Sequence, residues 1–149
     1  MIFVYGDIIL DMLVHASEPI MYGSDSPGSI DFQGGGSAAN FASWASWSGS
    51  KVHFAGKVGS DVPGSYLKGD LDRWGVETSF AVDPLKKSGK ILVLVDGRGE
   101  RTMITDRGVN LDFRYEDIPL DILKKSSHLH LTGYSLFGSR TLVETAEKA

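Results

Sequence analysis

The chain has 149 residues, 42% apolar and 10% aromatic, which is enough for one globular domain with a buried core. Its formal net charge of -4 and its scattered Lys and Arg residues provide no basic surface for nucleic acid or for an anionic membrane. The absence of cysteine excludes disulfides and thiolate chemistry, and no apolar run approaches the roughly 20 residues of a transmembrane helix. We therefore expect a cytoplasmic protein whose partner is a small molecule.

The chain opens with two apolar, β-prone runs, residues 2–5 and 8–14, which Gly6 and Asp7 separate. Continuous apolar runs of this kind predict strands that are buried on both faces, as in a parallel sheet. A loop rich in Pro, Gly and Ser follows these runs. The alternating segment 29–33 then predicts a half-exposed strand.

A helix–strand–helix pattern occupies the middle of the chain. Small and aromatic residues at helical spacing predict a helix that Ser37 caps and Gly49 ends. The apolar run 52–55 predicts the next strand, and Asp61 is placed to cap a second helix that ends before Gly75. Strands that alternate with helices in this way predict a parallel α/β core.

Two β-prone runs at 91–95 and 101–105 flank the turn sequence DGRGE and predict an antiparallel hairpin. A hairpin does not belong to a simple parallel sheet. Together with segment 29–33 it therefore predicts a small second sheet that stands off the main one as a lid. After a further alternating strand, SHLHLT, a helical pattern begins at Ser139 and reaches Ala149 without a terminating signal. We expect this last helix to continue beyond the sequence.

The run GGGSAAN at 34–40 carries the strongest chemical signal. Glycines ahead of a helix let the backbone approach a ligand closely, and the first N–H groups of the helix point at an oxygen-rich ligand. A plain glycine-rich turn is the simplest alternative. A dinucleotide fingerprint, GxGxxA, is another, formed by Gly34, Gly36 and Ala39 with Asp61 as the ribose-binding acid. This match is weak, because such a fingerprint normally follows the first buried strand of its unit.

Several motifs resemble, in order and spacing, the N-terminal part of the PfkB/ribokinase-family carbohydrate kinases. They are GDIILD, GGSAANFA, Gly59 in GKVGSD, the helix end LDRWGV, the hairpin LVLVDGRGERT and DRGVN, and they span essentially all 149 residues. The resemblance implies a ribokinase-like α/β fold, in which helices flank a parallel Rossmann-type sheet and a small antiparallel β lid stands beside it. The C-terminal half of that fold is absent from this sequence. Residues 1–149 then form the sugar-binding part, with lid strands within 12–34 and 89–105.

The resemblance also implies a sugar-binding site in this part of the chain. The Asp11 carboxylate accepts hydrogen bonds from sugar hydroxyls, and the Asn40 amide both donates and accepts them. The glycines admit the sugar to the start of the helix, and the Arg107 guanidinium is suited to a carboxylate or a phosphate. The predicted substrate-binding residues are Asp11, Gly34, Gly35, Gly36, Asn40, Arg107 and Asn110.

By resemblance, the reaction of the full-length family is in-line attack of a sugar hydroxyl on the γ-phosphoryl group of Mg-ATP. The family places its general base and anion hole in a GAGD-like motif of the second half, and nothing in this chain matches it. We therefore predict no catalytic residue here and expect the isolated chain to be inactive. ATP and Mg²⁺ are implied, with their site mostly outside this chain. A homodimer formed through the lid is a further option that the resemblance implies.

The substrate is not identified by these motifs. Ser37 stands where the ribokinase version of the run, GGKGAN, has Lys, which argues against ribose and leaves a ketose, a keto-sugar acid or a nucleoside open. Two other functions stay open as well. One is a non-catalytic sugar-binding or regulatory module, and the other is an NAD-binding oxidoreductase domain.

Overall fold

The structure, a computed structural model, describes residues 1–136, so the helical pattern that begins at Ser139 lies outside the described residues. The strands, in chain order, are β1 (Ile2–Tyr5), β2 (Ile9–Ala16), β3 (Gly28–Gly35), β4 (Val52–Gly59), β5 (Glu77–Asp83), β6 (Gly89–Val95), β7 (Arg101–Asp106) and β8 (His128–Leu131). The α-helices are α1 (Ser37–Trp47), α2 (Val62–Arg73), α3 (Leu120–Leu123) and α4 (Gly133–Leu136). Two 3₁₀ turns follow β7, at Gly108–Asp112 and Tyr115–Asp117.

The main sheet contains four parallel strands in the order β5-β4-β1-β8. Adjacent residues of a strand point to opposite faces, so Val4 and Phe54 pack beneath α1 and α2 whereas Phe3 lies on the other face. Both faces are covered, as a parallel sheet requires. This confirms the predicted parallel α/β core, although the sequence analysis did not identify β5.

The second sheet has the strand order β3-β2-β6-β7. Its two outer pairs are antiparallel, which confirms the predicted hairpin, and its central pair, β2 and β6, is parallel, so the sheet is mixed. The assignment of residues 8–14 to the parallel sheet is wrong, because the chain leaves that sheet at Gly6 and Asp7. Beyond Leu10, the side chains of β2 are only partly buried.

The predicted cap of α2 and the predicted C-terminal ends of both long helices are confirmed. The Asp61 carboxylate accepts a hydrogen bond from the Gly64 N–H at 3.0 Å at the start of α2. Gly49 and Gly75 follow α1 and α2 with φ of 90° and 72°, a left-handed conformation that glycine adopts without a steric penalty. Within the described part of the chain, no helix is long and apolar enough to cross a membrane.

Candidate functional site

The glycine run joins the end of β3 to the start of α1, and its last glycine makes the turn. Gly36 has φ 97°, and a Cβ at this position would lie 2.6 Å from the carbonyl oxygen of Asp7. Only glycine fits this combination of left-handed backbone and close approach. The turn brings α1 against the end of β1.

The Asp7 carboxylate caps helix α1. It accepts hydrogen bonds from the backbone N–H groups of Ser37 at 3.2 Å and Ala38 at 3.5 Å. The prediction that Ser37 caps the helix is wrong, since Gly36 is the N-cap residue and no side-chain cap is formed there. A negative side chain from the junction between β1 and β2 thus occupies the N–H groups that we expected a ligand to meet, where it is favourable next to the positive end of the helix dipole. Sequence reasoning missed this role because Asp7 is remote from α1 in sequence.

Asp11 lies against Gly35, and its predicted contact with a sugar stays a prediction. A Cβ on Gly35 would lie 2.6 Å from the Asp11 Cγ, so the carboxylate fills the space that a side chain would take. The Asp11 Oδ1 atom is buried and has no hydrogen-bond partner among residues 1–136. Burial raises the pKa of Asp11 above its ordinary value, and the negative charge of Asp7 raises it further. Within the described part of the chain, the site therefore holds a buried carboxylate oxygen that lacks a donor.

A second carboxylate, that of Asp70 on α2, lies against Gly34. A Cβ on Gly34 would lie 2.9 Å from the Asp70 Cγ. Because neighbouring residues of β3 face opposite sides, Asp70 and Asp11 approach the strand from opposite faces. Asp70 forms an ion pair with Arg73, and its side chain is only 16% exposed. The sequence analysis missed Asp70, although its position next to the core residue Leu71 in α2 was a usable signal.

Asn40 lies on the Gly34 side of the strand. It lines a pocket of about 120 Å³ between α1 and α2, together with Gly34, Gly35, Asp70 and two tryptophans, Trp44 and Trp74. Asp11 is not among the residues that line this pocket. The structure thus brings Asn40 to two of the predicted glycines.

Asn110 connects the turn after β7 to the junction between β1 and β2. Its Oδ1 accepts a hydrogen bond from the Ile8 N–H at 3.0 Å, and its Nδ2 donates to the carbonyl oxygens of Ile8 at 3.0 Å and Arg107 at 2.9 Å. Both amide donors are therefore used by the backbone. A ligand contact would have to use the second lone pair of Oδ1.

Arg107 directly precedes the same turn. Its Nη1 donates a hydrogen bond to the carbonyl oxygen of Tyr134 at 3.2 Å, and its guanidinium lies 5.2 Å from the centre of the Tyr134 ring. The remaining donors of its planar fork are not engaged by these two contacts. Its predicted contact with a substrate stays a prediction.

No metal-ion site stands out among the side chains that the structure describes. Among residues 1–136, no group of three His, Cys, Asp or Glu side chains is arranged to hold a metal ion. The sequence also has no Walker A loop. We therefore derive no chemical step through the nucleotide from this part of the chain.

Asp61 also bears on the dinucleotide interpretation. In addition to capping α2, it accepts hydrogen bonds from the Ser88 N–H at 3.1 Å and the Ser88 hydroxyl at 2.6 Å. Both carboxylate oxygens are thus engaged within the protein, and the ribose-binding role that this interpretation needs is unsupported.

A comparison with known proteins identifies the family. The model of the pfkB family carbohydrate kinases matches residues 1–149. The chain belongs to this family. A PfkB relative, an uncharacterized sugar kinase of Archaeoglobus fulgidus, is 37% identical over 86 residues, which are 58% of this chain and 34% of that protein. A fructokinase of Vibrio alginolyticus is 28% identical over 149 residues, which cover 98% of this chain and 45% of the relative.

The fold agrees with the family assignment. The solved structure of ribokinase from Giardia lamblia superimposes with a TM-score of 0.85 at 18% identity, over 99% of this chain and 49% of that one. This PfkB chain is therefore ribokinase-like in fold, and it spans less than half the length of these relatives. The predicted family and fold class are confirmed.

Proposed function

We propose that this chain forms the acceptor-binding part of a kinase that transfers a phosphoryl group from ATP to a hydroxyl of a sugar or sugar-like molecule. The observation that carries the proposal is the Asp11 carboxylate, whose Oδ1 is buried and receives no hydrogen bond from the residues that the structure describes. A buried acceptor without a partner is costly, and a sugar hydroxyl would supply the missing hydrogen bond. The family to which the chain belongs supports the reaction class.

In this proposal the chain's own residues bind and orient the acceptor. Asp11 holds a sugar hydroxyl, and Gly35 leaves the space in which the carboxylate lies. Asp7 and Asn110 position the surrounding backbone, the first by capping α1 and the second by holding Ile8. The second sheet acts as a lid that excludes water from the bound hydroxyl. ATP supplies the phosphoryl group and Mg²⁺ neutralises its charge, mainly through residues outside this chain.

Calorimetry with D-fructose and other monosaccharides, on the chain and on an Asp11→Asn variant, tests the proposal. Loss of a hydrogen bond to a charged group weakens binding by about ten-fold to a hundred-fold. Asp31→Asn, which changes an exposed carboxylate on β3, is the matched control and should bind as the unmodified chain does. Equal affinities of the Asp11→Asn and Asp31→Asn variants would contradict the proposal.

The chain alone should not turn over Mg-ATP with any of these sugars, because no general base is assigned to it. A second candidate function is a sugar-binding or regulatory module without transfer, the alternative that the sequence motifs left open. Both candidates predict sugar binding. Assay of the product of the complete natural reading frame separates them, since only the kinase forms a sugar phosphate.

A second copy of the chain is the partner that we propose for the lid. Phe32 and Ile104 are 54% and 64% exposed, and the strand register places them in one row with Met12 and Leu92 across all four strands. Light scattering after size exclusion tests this dimer. Phe32→Lys should yield a monomer, while Met103→Lys, 51% exposed on the opposite face, should not. A monomeric unmodified chain would refute the dimer without affecting the kinase proposal.

A further inference from the structure

A histidine of the main sheet lies between a serine and a glutamate, on the face opposite to α1 and α2. His53 of β4 stacks on Phe3 of β1, which packs on that face. The strand register places Glu77 of β5 directly beside His53, and Ser79 follows two residues later on the same face of β5. The three polar side chains therefore form a group on the other side of the sheet from the helix that the glycine run begins.

These side chains are arranged as a nucleophile, a base and an acid. The Ser79 Oγ lies 2.9 Å from His53 Nε2, and the His53 Nδ1 lies 3.6 Å from Glu77 Oε2. The imidazole is only 7% exposed, and among residues 1–136 its Nδ1 has no hydrogen-bond partner. A carboxylate beside Nδ1 favours the tautomer that carries its proton there, so Nε2 is free to accept the proton of the serine hydroxyl.

Lys51 holds the carboxylate in its ionised form. Its Nζ lies 3.2 Å from Glu77 Oε1, and this hydrogen bond and the lysine charge keep the pKa of Glu77 below its ordinary value. The other oxygen, Oε2, faces His53. Its distance to Nδ1 is longer than a hydrogen bond, as is common for catalytic contacts before a substrate binds. Glu77 can thus stabilise a positive charge on the imidazole.

We propose that Ser79, His53 and Glu77 form a hydrolytic site, separate from the acceptor site, that cleaves small carboxylic esters. Ser79 Oγ bonds to the ester carbonyl carbon while its proton passes to His53 Nε2, and that proton then passes to the alcohol oxygen as the bond between this oxygen and the carbon breaks. Water repeats these steps on the acyl-serine, so the ester and one water yield an acid and an alcohol. Such a group is recognised by its geometry and not by its order in the chain.

The position of β5 supplies the donors that the reaction needs. Within the described residues β5 is the outer strand of the main sheet, in the order β5-β4-β1-β8. Alternate N–H groups of an outer strand point away from its neighbour. They can donate hydrogen bonds to the oxyanion that develops when Ser79 attacks. Because Ser79 is half-buried on this edge, the site suits a short acyl group.

A fluorophosphonate, which phosphonylates a serine that a neighbouring base activates and releases fluoride, tests the site in the full chain without nucleotide. Mass spectrometry of the digested chain should find the label on Ser79 and not on Ser65, an exposed serine of α2. Hydrolysis of p-nitrophenyl acetate is measured in parallel, and Ser79→Ala should lower its rate about a hundred-fold. Absence of label from Ser79, equal label on Ser65 or an unchanged ester rate in Ser79→Ala would overturn the proposal.

The pH profile of the ester rate tests the role of Glu77, which is 54% exposed and can be replaced without opening the core. The rate should rise with pH as the His53 imidazole loses its proton. In Glu77→Gln this rise should occur at lower pH, because the carboxylate no longer stabilises the imidazolium. Glu100→Gln, in the exposed turn between β6 and β7, should keep the unmodified profile. An unchanged profile in Glu77→Gln would refute the arrangement, and none of these results bears on sugar binding at Asp11.

Discussion

Replacing Gly35 with alanine tests whether the glycine run exists to make room for a carboxylate. The added methyl carbon would lie 2.6 Å from the Asp11 Cγ, whereas carbon atoms in contact prefer about 3.5–4.0 Å. The Asp11 carboxyl group must therefore retreat by about 1 Å within a buried region. Overpacking of this size costs about 1–3 kcal/mol of unfolding free energy. Gly35 has no positive φ, so the cost is steric and involves no backbone strain.

A double-mutant cycle measured by urea denaturation isolates this contact. Asp11→Ala removes the obstructing group, so Gly35→Ala should cost at least about 1 kcal/mol less in that background than in the unmodified chain. Gly97→Ala is the control, because a Cβ there meets nothing within 4 Å. Its effect should stay within about 0.5 kcal/mol. Additive effects of the Asp11 and Gly35 substitutions would show that the two residues are not in contact and would refute the reasoning.

The other predictions concern single groups in the same region. The pKa of Asp11 is raised above 3.8, so ionisation of Asp11 destabilises the fold as the pH rises above that value. In melting curves recorded from acid to neutral pH, Asp11→Asn should therefore be more stable than the unmodified chain near pH 7. A lower melting temperature of the variant near pH 7 would contradict this prediction. Ser88→Ala should lower the free energy of unfolding by about 1–3 kcal/mol in urea denaturation, because the fully buried hydroxyl accepts a hydrogen bond from the Gly59 N–H at 2.9 Å. An unchanged free energy of unfolding would argue against that hydrogen bond. Asn110→Ala should cost a similar amount, about 1–3 kcal/mol, because it leaves both Ile8 backbone groups without their partner, and hydrogen exchange at the Ile8 N–H should accelerate.

Local signals in the sequence were sufficient for helix α2. Asp61 and Gly75 mark the ends of α2 through interactions that extend only a few residues along the chain, and for that reason they could be predicted. The strand β5, with the sequence ETSFAVD, was not identified, because an edge strand of mixed polarity gives a weak pattern. The ribokinase-like fold was predicted from the family resemblance, because periodicity alone did not identify it.

The site was harder to predict because its contacts join residues that are distant in sequence. Asp7 caps a helix that begins 30 residues later, and Asn110 holds Ile8 across 102 residues. Residues 8–14 have the composition of a buried strand, yet they enter the second sheet, since the sheet in which a strand pairs depends on partners such as β6. Composition records how apolar a strand is, but it does not record which strand lies beside it.

The glycine run shows why a motif alone could not determine the chemistry. Its three glycines have three different physical causes: Gly34 admits the Asp70 carboxylate, Gly35 admits that of Asp11, and Gly36 adopts a φ of 97° beside the Asp7 carbonyl. A ligand loop was expected to use glycines to bring a ligand to the backbone. Here two of them bring acidic side chains to it, from opposite faces of one strand. The run therefore organises carboxylates, and the sugar that we propose as ligand contacts the carboxylate of Asp11.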